Sequence, residues 1–483
     1  MVNRFFKLQE NNTTVRTEIT AGLTTFLTMA YIIVVQPMVL SGQMFGFETG
    51  MDFGSVLTAT CIAAAIATII MALYARYPIA QAPGMGENFF FVFSVLPAAA
   101  AAGFSNNWQV ALGVVFIAGV IFLLLSLTGV RKMIIDAISP NLKNSMAVGI
   151  GLFIAFIGLQ NSGLIVSAAS IVETPSGPAL SPGTLVKMNP HFASVDLIVF
   201  FFGLFLTAIL HVKRVKGSIL WGILGATLFA ISIRLAFMIL PASYSQTEAI
   251  AGSNLMTQFS LASKIFSTPP SLSPTFFKMD LVGALSFTMI PFIIIFLIMD
   301  VFDTLGTLIG VSEQAGFMKD GELPRANKAL LSDAVGTVSG ACLGTSTVTS
   351  FIESAAGVEQ GGRTGLTSLT TALLFLLALF FSPIVTMIGS YTVITAPALI
   401  IVGAMMLKNV NKIDWFDYSE SIPAFLTLIG IPLTYSISDG LALGFISYPI
   451  IKLFSGKAKE VSWLMYVISG ILILYFIFIR AEI

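Results

Sequence analysis

Four carboxylates sit where an apolar chain should avoid them. Asp300 and Asp303 lie three residues apart in FTMIPFIIIFLIMDVFDTLGTLIGV with Thr304 and Thr307 close by, and Glu87 and Glu353 interrupt GMGENFFF and GTSTVTSFIESAAGV. An aspartate at the centre of a membrane helix costs about 3 kcal/mol on insertion scales, so such residues are expected to face a cavity and serve a function. A spacing of three puts Asp300 and Asp303 on one helix face. Three chemistries use such a cluster. A hard cation would take all-oxygen ligands, but the histidines, His191 and His211, fall in a loop and at a helix end, which argues against a transition-metal site. An intramembrane aspartyl protease needs two carboxylates facing one another from separate helices, whereas these share a turn, so neither a metal nor an enzyme is expected. The third chemistry is recognition of a polar, planar, nearly neutral solute. Carboxylates accept hydrogen bonds from its N–H groups, backbone amides and carbonyls take the other edge, and Phe89, Phe90 or Phe351 stacks on the ring. One carboxylate can also bind a proton and couple its movement to the solute; Asp300, Asp303, Glu353 and Glu87 are the candidates.

These residues need a membrane scaffold. Of 483 residues, 56% are hydrophobic and 10% charged, against roughly a quarter charged in soluble domains, and the mean hydropathy is +0.93. Apolar segments recur near 19–41, 55–75, 79–99, 109–129, 139–162, 194–212 and 216–238, and again near 283–311, 327–343, 345–362, 364–382, 390–407, 420–435 and 437–454, with one more at 461–480. That pattern predicts an all-α polytopic membrane protein of fourteen spans. The last segment either crosses or lies along the interface. The 24 basic residues balance 24 acidic ones, so nothing favours nucleic acid as a partner. Cys61 and Cys342 fall in apolar stretches and read as small hydrophobes. The polar start, MVNRFFKLQENNTTVRTE, precedes an apolar run too long for a signal-peptide core, so no cleaved signal is expected. Arg4, Lys7 and Arg16 precede the first span. Arg76, Arg131 with Lys132, Lys213 to Lys216, Lys319 to Lys328, Arg363, Lys408 with Lys412, and Lys452 to Lys459 follow every second span, while 42–54, 100–108 and 383–390 have no Lys or Arg. The N-terminus is therefore expected in the cytoplasm.

Seven is odd, so two groups of seven spans enter from opposite sides and form inverted repeats if they share a fold. VKGSILWGIL at 215–224 and SDGLALGFI at 438–446 echo one another. The third segment packs Pro78, Pro83, Gly84 and Gly86 into nine residues, and the tenth opens with Thr345, Thr347, Val348 and Thr349. Each is predicted to be a short extended half followed by a half-helix. Extended backbone at bilayer depth survives only inside protein or along a cavity. Two such breaks at matching positions point to a transporter binding site, with paired strands and half-helix N-termini aimed at a ligand.

APGMGENFF, FDTLGTLIG and GTSTVTSFIESAAGVEQGGRTGL, together with TEITAGLTTFLTMAYIIVVQP at 17–37, make the chain resemble the nucleobase-cation symporter-2 family, specifically its azaguanine-type purine permeases. The resemblance implies fourteen spans in 7+7 inverted repeats, with short antiparallel strands in broken spans three and ten. It implies a core at 1–136 and 283–386, a gate at 137–240 and 387–456, an extracellular loop at 241–282 and an extra hydrophobic segment at 457–483. It further implies elevator-type, proton-coupled uptake of guanine, hypoxanthine or adenine across the plasma membrane, without cofactor, and a homodimer. In that family, acidic residues of spans eight and ten hold the base; these match Asp303 and Glu353, with Asn88, Phe89, Phe351 and Gly86 around them and Asp300 one turn earlier. Many relatives carry an apolar residue followed by NA where this chain has Glu87-Asn88-Phe89. Anion exchangers of the sulfate-transporter type share this architecture and are the alternative, although Asp303 and Glu353 would repel an anion.

Overall fold

The structure, a computed structural model, describes residues 2–128, 138–168, 170–174, 177–181, 186–192, 194–239, 248–318 and 323–478, with backbone alone at 128, 170–174, 177–181, 248, 249, 309, 313, 314, 475 and 478. Arg131, Lys132 and Lys319 of the charge alternation lie outside the described residues.

The first span joins α1 (Val15–Met29) to α2 (Ile32–Leu40), and α3 (Phe53–Ile70) follows. The third segment breaks into β1 (Gln81–Pro83) and α4 (Met85–Phe90). Next come α5 (Asn107–Thr128) and α6 (Pro140–Asn161). A loop then folds into two antiparallel ribbons, β2 (Ile165–Ser167) with β5 (Val186–Met188) and β3 (Ser170–Thr174) with β4 (Gly177–Ser181). The helices α7 (Val195–Val212), α8 (Ser218–Ile239), α9 (Ile290–Ala315) and α10 (Ala326–Leu343) lead to the second break, β6 (Val348–Ser350) and α11 (Ser354–Glu359). The chain ends in α12 (Gly365–Ala378), α13 (Ala396–Met406), α14 (Tyr418–Thr434), α15 (Ile437–Phe454) and α16 (Trp463–Phe478). Helix starts follow side chains that accept from orphan amides. Asp52 accepts from the Ser55 N–H at 2.7 Å, and Ser139, Ser194 and Ser436 cap α6, α7 and α15 in the same way.

Ten helices among the described residues are long and apolar enough to cross a membrane, fewer than the fourteen segments the hydropathy pattern predicts. The shortfall has local causes. The third and tenth segments are the two breaks, α10 (ANKALLSDAVGTVSGACL) is too polar along its length, and α14 spans 17 residues with Pro423 and Pro432 inside. The final segment forms α16, 16 residues packed on α15. Two sets of helices pack internally. In one, α10 lies on α3 and α5, and α12 lies on α1 and α3; in the other, α6 lies on α13 and α14, α14 on α15, and α7 on α8 and α13. Glycine sets the α6–α13 distance, since a Cβ on Gly403 would stand 2.4 Å from the Gly151 carbonyl oxygen.

The two breaks meet. β1 and β6 run antiparallel with Gln81 opposite Ser350, Ala82 opposite Thr349 and Pro83 opposite Val348. Gly84 N–H donates to the Thr347 carbonyl at 3.1 Å and Phe351 N–H to the Ala80 carbonyl at 3.0 Å, extending the ribbon at both ends. Gly344, at φ +100°, ends α10 and turns the chain into this ribbon, a conformation that disfavours any side chain. The ribbon's outer edges are closed by one hydroxyl each. Thr68 of α3 accepts from Gln81 N–H (2.9 Å) and donates to its carbonyl (3.0 Å), while Thr337 of α10 stands in the same relation to Val348 (3.1 and 3.2 Å). Each hydroxyl pairs one outward-facing residue at a depth where a bare backbone group would cost several kcal/mol.

Candidate binding site

Glu353 is the residue before α11, so its side chain sits at the mouth of a half-helix. It is half-buried, and the Tyr31 hydroxyl, between α1 and α2, donates to its Oε1 at 2.9 Å. The neighbouring Phe351 is buried, whereas Ile352 is 46% exposed. Across from it on α9, the Asp303 side chain is exposed. A Cβ built on Gly306 would meet no atom within 4 Å, and one on Gly310 would meet Ile352 alone. The half of α9 that follows Asp303 therefore borders open space, a vestibule beside Asp303 and Glu353. Asp303 is close enough to Glu353, Glu87 and the Tyr31 hydroxyl to act on all three electrostatically.

Glu87, in the first turn of α4, is buried. Its Oε2 folds back to the start of its own half-helix, where a Cβ on Gly84 would come within 2.3 Å of it and 3.1 Å of Thr349 Oγ1. The Glu87 carboxylate thus occupies the anion-favouring end of α4, and Gly84 is the residue that leaves room for it. Asn88 is fully buried with both ends of its amide engaged. Its oxygen accepts from Gln36 Nε2 at 3.0 Å and from the Ser346 hydroxyl, and its nitrogen donates to Gln36 Oε1; Gln36 also reaches Thr345 Oγ1 at 2.9 Å. Asn88 and Gln36 bind α2, α4 and the approach to β6 together. Phe89 lies in an aromatic layer with Phe45, Phe93 and Phe153, which Tyr435 of the second helix set joins at 5.0 Å from Phe93 and 5.1 Å from Phe153. A Cβ on Gly86 would stand 3.2 Å from the Ile150 side chain of α6.

Asp300 differs from its expected place. It is buried, not facing a cavity, and Thr337 Oγ1 lies 3.0 Å from its Oδ2, behind β6. A step of three residues turns a helix by about 300°, so the two aspartates diverge by about 60°. That suffices to send one to the vestibule and the other to the strand.

Three side chains that build the site or its frame escape the reading by motif. Asp333 of α10 is fully buried, and Gln81 Nε2 (2.7 Å) and the Ser350 hydroxyl (3.2 Å) donate to Oδ1 while the Thr304 hydroxyl (2.6 Å) donates to Oδ2. Its signal is a lone carboxylate in an apolar segment of small residues. Glu18 of α1, also fully buried, accepts from the Arg363, Thr364 and Thr367 amides and the hydroxyls of both threonines at 2.7–3.2 Å, capping α12 across the molecule. Arg363 itself donates to the Val358 and Gly362 carbonyls, closing the end of α11. Tyr31 carries no motif signal at all. Among the described residues, no group of three or more His, Cys, Asp or Glu is placed to hold a metal ion.

The pattern of the Permease family matches residues 16–443. The chain is 48% identical over 479 residues to a putative permease of Methanocaldococcus jannaschii, covering 99% of this chain and 98% of that one. It is 45% identical to the guanine/hypoxanthine permease PbuG of Bacillus subtilis, with 99% of each covered, and 37% identical to the adenine permease AdeP of Escherichia coli, covering 100% of this chain and 97% of that one. Among solved structures it is similar to the transmembrane domain of a cyanobacterium bicarbonate transporter, BicA (TM-score 0.56, 18% identity, 89% of this chain and 97% of that one). It is also similar to SLC26A9 (TM-score 0.60, 11% identity, 94% and 68%). At those identities the two structures share a fold with this chain.

Proposed function

This chain belongs to the Permease family, and within it to the azaguanine-type purine permeases of the nucleobase-cation symporter-2 group, and from that premise we infer that it carries purine nucleobases across the plasma membrane, driven by protons. It is a multi-pass membrane transporter rather than an enzyme. The observation that carries the substrate class is the pair of carboxylates at the vestibule: Asp303 exposed on α9 and Glu353 at the mouth of α11, the latter held by the Tyr31 hydroxyl. A purine presents ring and exocyclic N–H donors on one edge and acceptors on the other, and its flat face suits Phe351, whereas Phe89 is fully buried in the aromatic layer behind α4. Asn88 and Gly86 act one step back, the first fixing the two breaks and the second bordering the neighbouring helix set.

The resemblance to bicarbonate and SLC26 transporters supports the reading of fourteen spans in two inverted repeats, with core segments 1–136 and 283–386 moving against gate segments 137–240 and 387–456. Support also comes from the matched hydroxyls of Thr68 and Thr337, which do the same work on the third and tenth segments from the second and ninth. The N-terminus is then cytoplasmic and the vestibule faces the cytoplasm. Those structural relatives also raise anion exchange as a second reading. The carboxylates oppose it, because an anion would enter a site lined by Asp303, Glu353 and Glu87.

Uptake of radiolabelled guanine, hypoxanthine, adenine, uracil, sulfate and bicarbonate in a host lacking its own permeases separates the readings. Purine uptake that is saturable, and absent in Glu353→Gln and Asp303→Asn proteins still present in the membrane, is the expected result. Anion uptake without purine uptake would sink it.

A further inference from the structure

One end of the second helix set carries rings and cations that the base site does not use. There the start of α6, the 3-10 turn Leu407–Lys412 after α13, the start of α14, the end of α15 and the start of α16 are stapled together. Buried Lys452 reaches Glu420 at 2.9 Å and Glu460 at 2.7 Å, and Lys457 reaches Asp417 at 2.7 Å. Asn141 of α6 donates to Glu420 at 2.9 Å and accepts from the Asp414 amide at 2.8 Å. Buried Ile413 and a bond from Trp415 Nε1 to the Val410 carbonyl (3.2 Å) hold the turn, and Asp414 accepts from the Phe416 amide at 3.0 Å. The carboxylates of this platform are thus engaged within it, whereas Lys408, Lys412 and Lys459 are exposed and enter no ion pair among the described residues. The same segments expose four rings: Phe416, 97% open, Tyr418 at the start of α14, Phe454, 85% open, at the end of α15, and Trp463 at the start of α16.

We propose that this end of the second helix set is a docking surface for anionic phospholipid, the rings entering the bilayer interface and Lys408, Lys412 and Lys459 meeting the phosphates. A turn that joins one span to the next stands at the bilayer surface, and Trp and Tyr, apolar rings with one polar atom, settle at headgroup level. The lysines select the charge, because each attracts an anionic surface and the carboxylates near them are already bonded elsewhere. The first helix set is built the other way. Arg76 lies over the Phe5 ring at 5.1 Å, Arg325 over Tyr77 at 4.4 Å and Lys328 over Tyr74 at 5.0 Å, while Lys7 pairs with Glu10. Most of its cations on the side that the charge alternation assigns to the cytoplasm are therefore turned to partners of their own chain, Arg4 and Arg16 excepted. The second set has a hold on lipid that the first largely lacks. On the uptake reading above, the lipid holds the gate segments still while the core segments slide; the lipid contact itself does not depend on the cargo.

The test uses the full-length protein in nanodiscs of phosphatidylcholine doped with dansyl-labelled phosphatidylglycerol or, separately, dansyl-labelled phosphatidylcholine, and reads energy transfer from the tryptophans to the label. The anionic label is expected to give several-fold more transfer than the neutral one, and the excess to shrink as added salt screens the contact. Lys408→Gln, Lys412→Gln and Lys459→Gln combined should remove the excess, and Lys408→Arg, Lys412→Arg and Lys459→Arg combined should keep it. Arg325→Gln with Lys328→Gln, on the first set, should leave it unchanged. Phe416→Ser should lower transfer to both labels alike. Should the triple glutamine variant fail to assemble, the salt titration and the wild-type comparison of the two labels decide. Equal transfer to both labels in the wild type overturns the proposal, as does an excess that survives the three glutamines or falls equally in the Arg325 and Lys328 pair. Conversion of a dimer to a monomer by the three glutamines, with the lipid excess intact, also overturns it, because a second copy then covers this face. No arm of the test contains a purine, so its failure leaves the uptake reading standing, and a lack of purine uptake leaves the lipid result standing.

Discussion

Removing one oxygen atom tests the base site without touching either carboxylate. Tyr31 is 2% exposed, and its hydroxyl is the side-chain donor that meets Glu353 Oε1, at 2.9 Å. Tyr31→Phe keeps the ring and its packing and deletes that donor. A hydrogen bond to a charged group is worth about 1.5–3 kcal/mol. Glu353 is only half-buried, so vestibule water replaces part of what is lost and the lower end applies. About 1.4 kcal/mol is a tenfold change in dissociation constant, so hypoxanthine and guanine binding should weaken about tenfold, with little change in thermal stability. Displacement of radiolabelled hypoxanthine from purified protein measures it. Combining Tyr31→Phe with Glu353→Gln gives a sharper reading, because the tyrosine acts on the ligand only through the glutamate. The double variant should bind no worse than Glu353→Gln alone, a coupling of at least about 1 kcal/mol. Additive losses, or Tyr31→Phe binding within about twofold of wild type, would refute the view that Tyr31 presents Glu353 to the base.

Three further outcomes follow from carboxylates and a lysine outside the base site. Glu18→Gln must turn its amide nitrogen toward either the Arg363 amide or the Thr364 and Thr367 donors, so it should cost about 1.5–3 kcal/mol, read as a lowered melting temperature in detergent, with Glu18→Asp intermediate. Lys452 is buried against Glu420 (2.9 Å) and Glu460 (2.7 Å), and Lys452→Met leaves Glu420 with Asn141 and Tyr448 alone. Breaking such a buried pair costs about 3–5 kcal/mol, and unchanged thermal stability would show that Glu420 finds another partner. At Asp280, outside the spans, the Gly283 amide and the Asn106 side chain hold the carboxyl below its ordinary range. A lowered folded value means that its stabilisation is full above the ordinary range and drains away as pH falls through the lower folded value. Asp280→Asn should therefore flatten the acid side of a stability–pH curve, and an unaltered curve would count against that role.

How much of this was legible in the chain depends on what kind of signal each residue leaves. The breaks were readable because Pro78, Pro83, Gly84 and Gly86 forbid a regular helix and the run of threonines after Gly344 favours a strand. Glu353 was readable as a carboxylate beside such a break, and Asp303 as one in an apolar helix. The number of long helices was less so, because hydropathy sees length and composition but not that α10 is shielded by its neighbours and tolerates Asp333, Thr337 and Ser332 on its inner face.

Roles within the carboxylate set were not legible, and the reason is geometric. Asp300, Asp303 and Asp333 share one chemistry in the sequence. A rotation of about 60° around α9 gives one of them the vestibule and another a threonine, and Asp333 is defined by three donors drawn from α9, β1 and β6. Thr68 and Thr337 leave still less trace, since threonine is ordinary in a membrane helix and becomes a strand closure only when a broken segment of another span lies against it. A pattern of types finds where charge is buried; the donors and acceptors around each group decide what it can do there. By that measure Asp333 is tied to α9, β1 and β6 by three donors, Glu353 and Asp303 face the vestibule, and Asp300 meets the Thr337 hydroxyl behind β6.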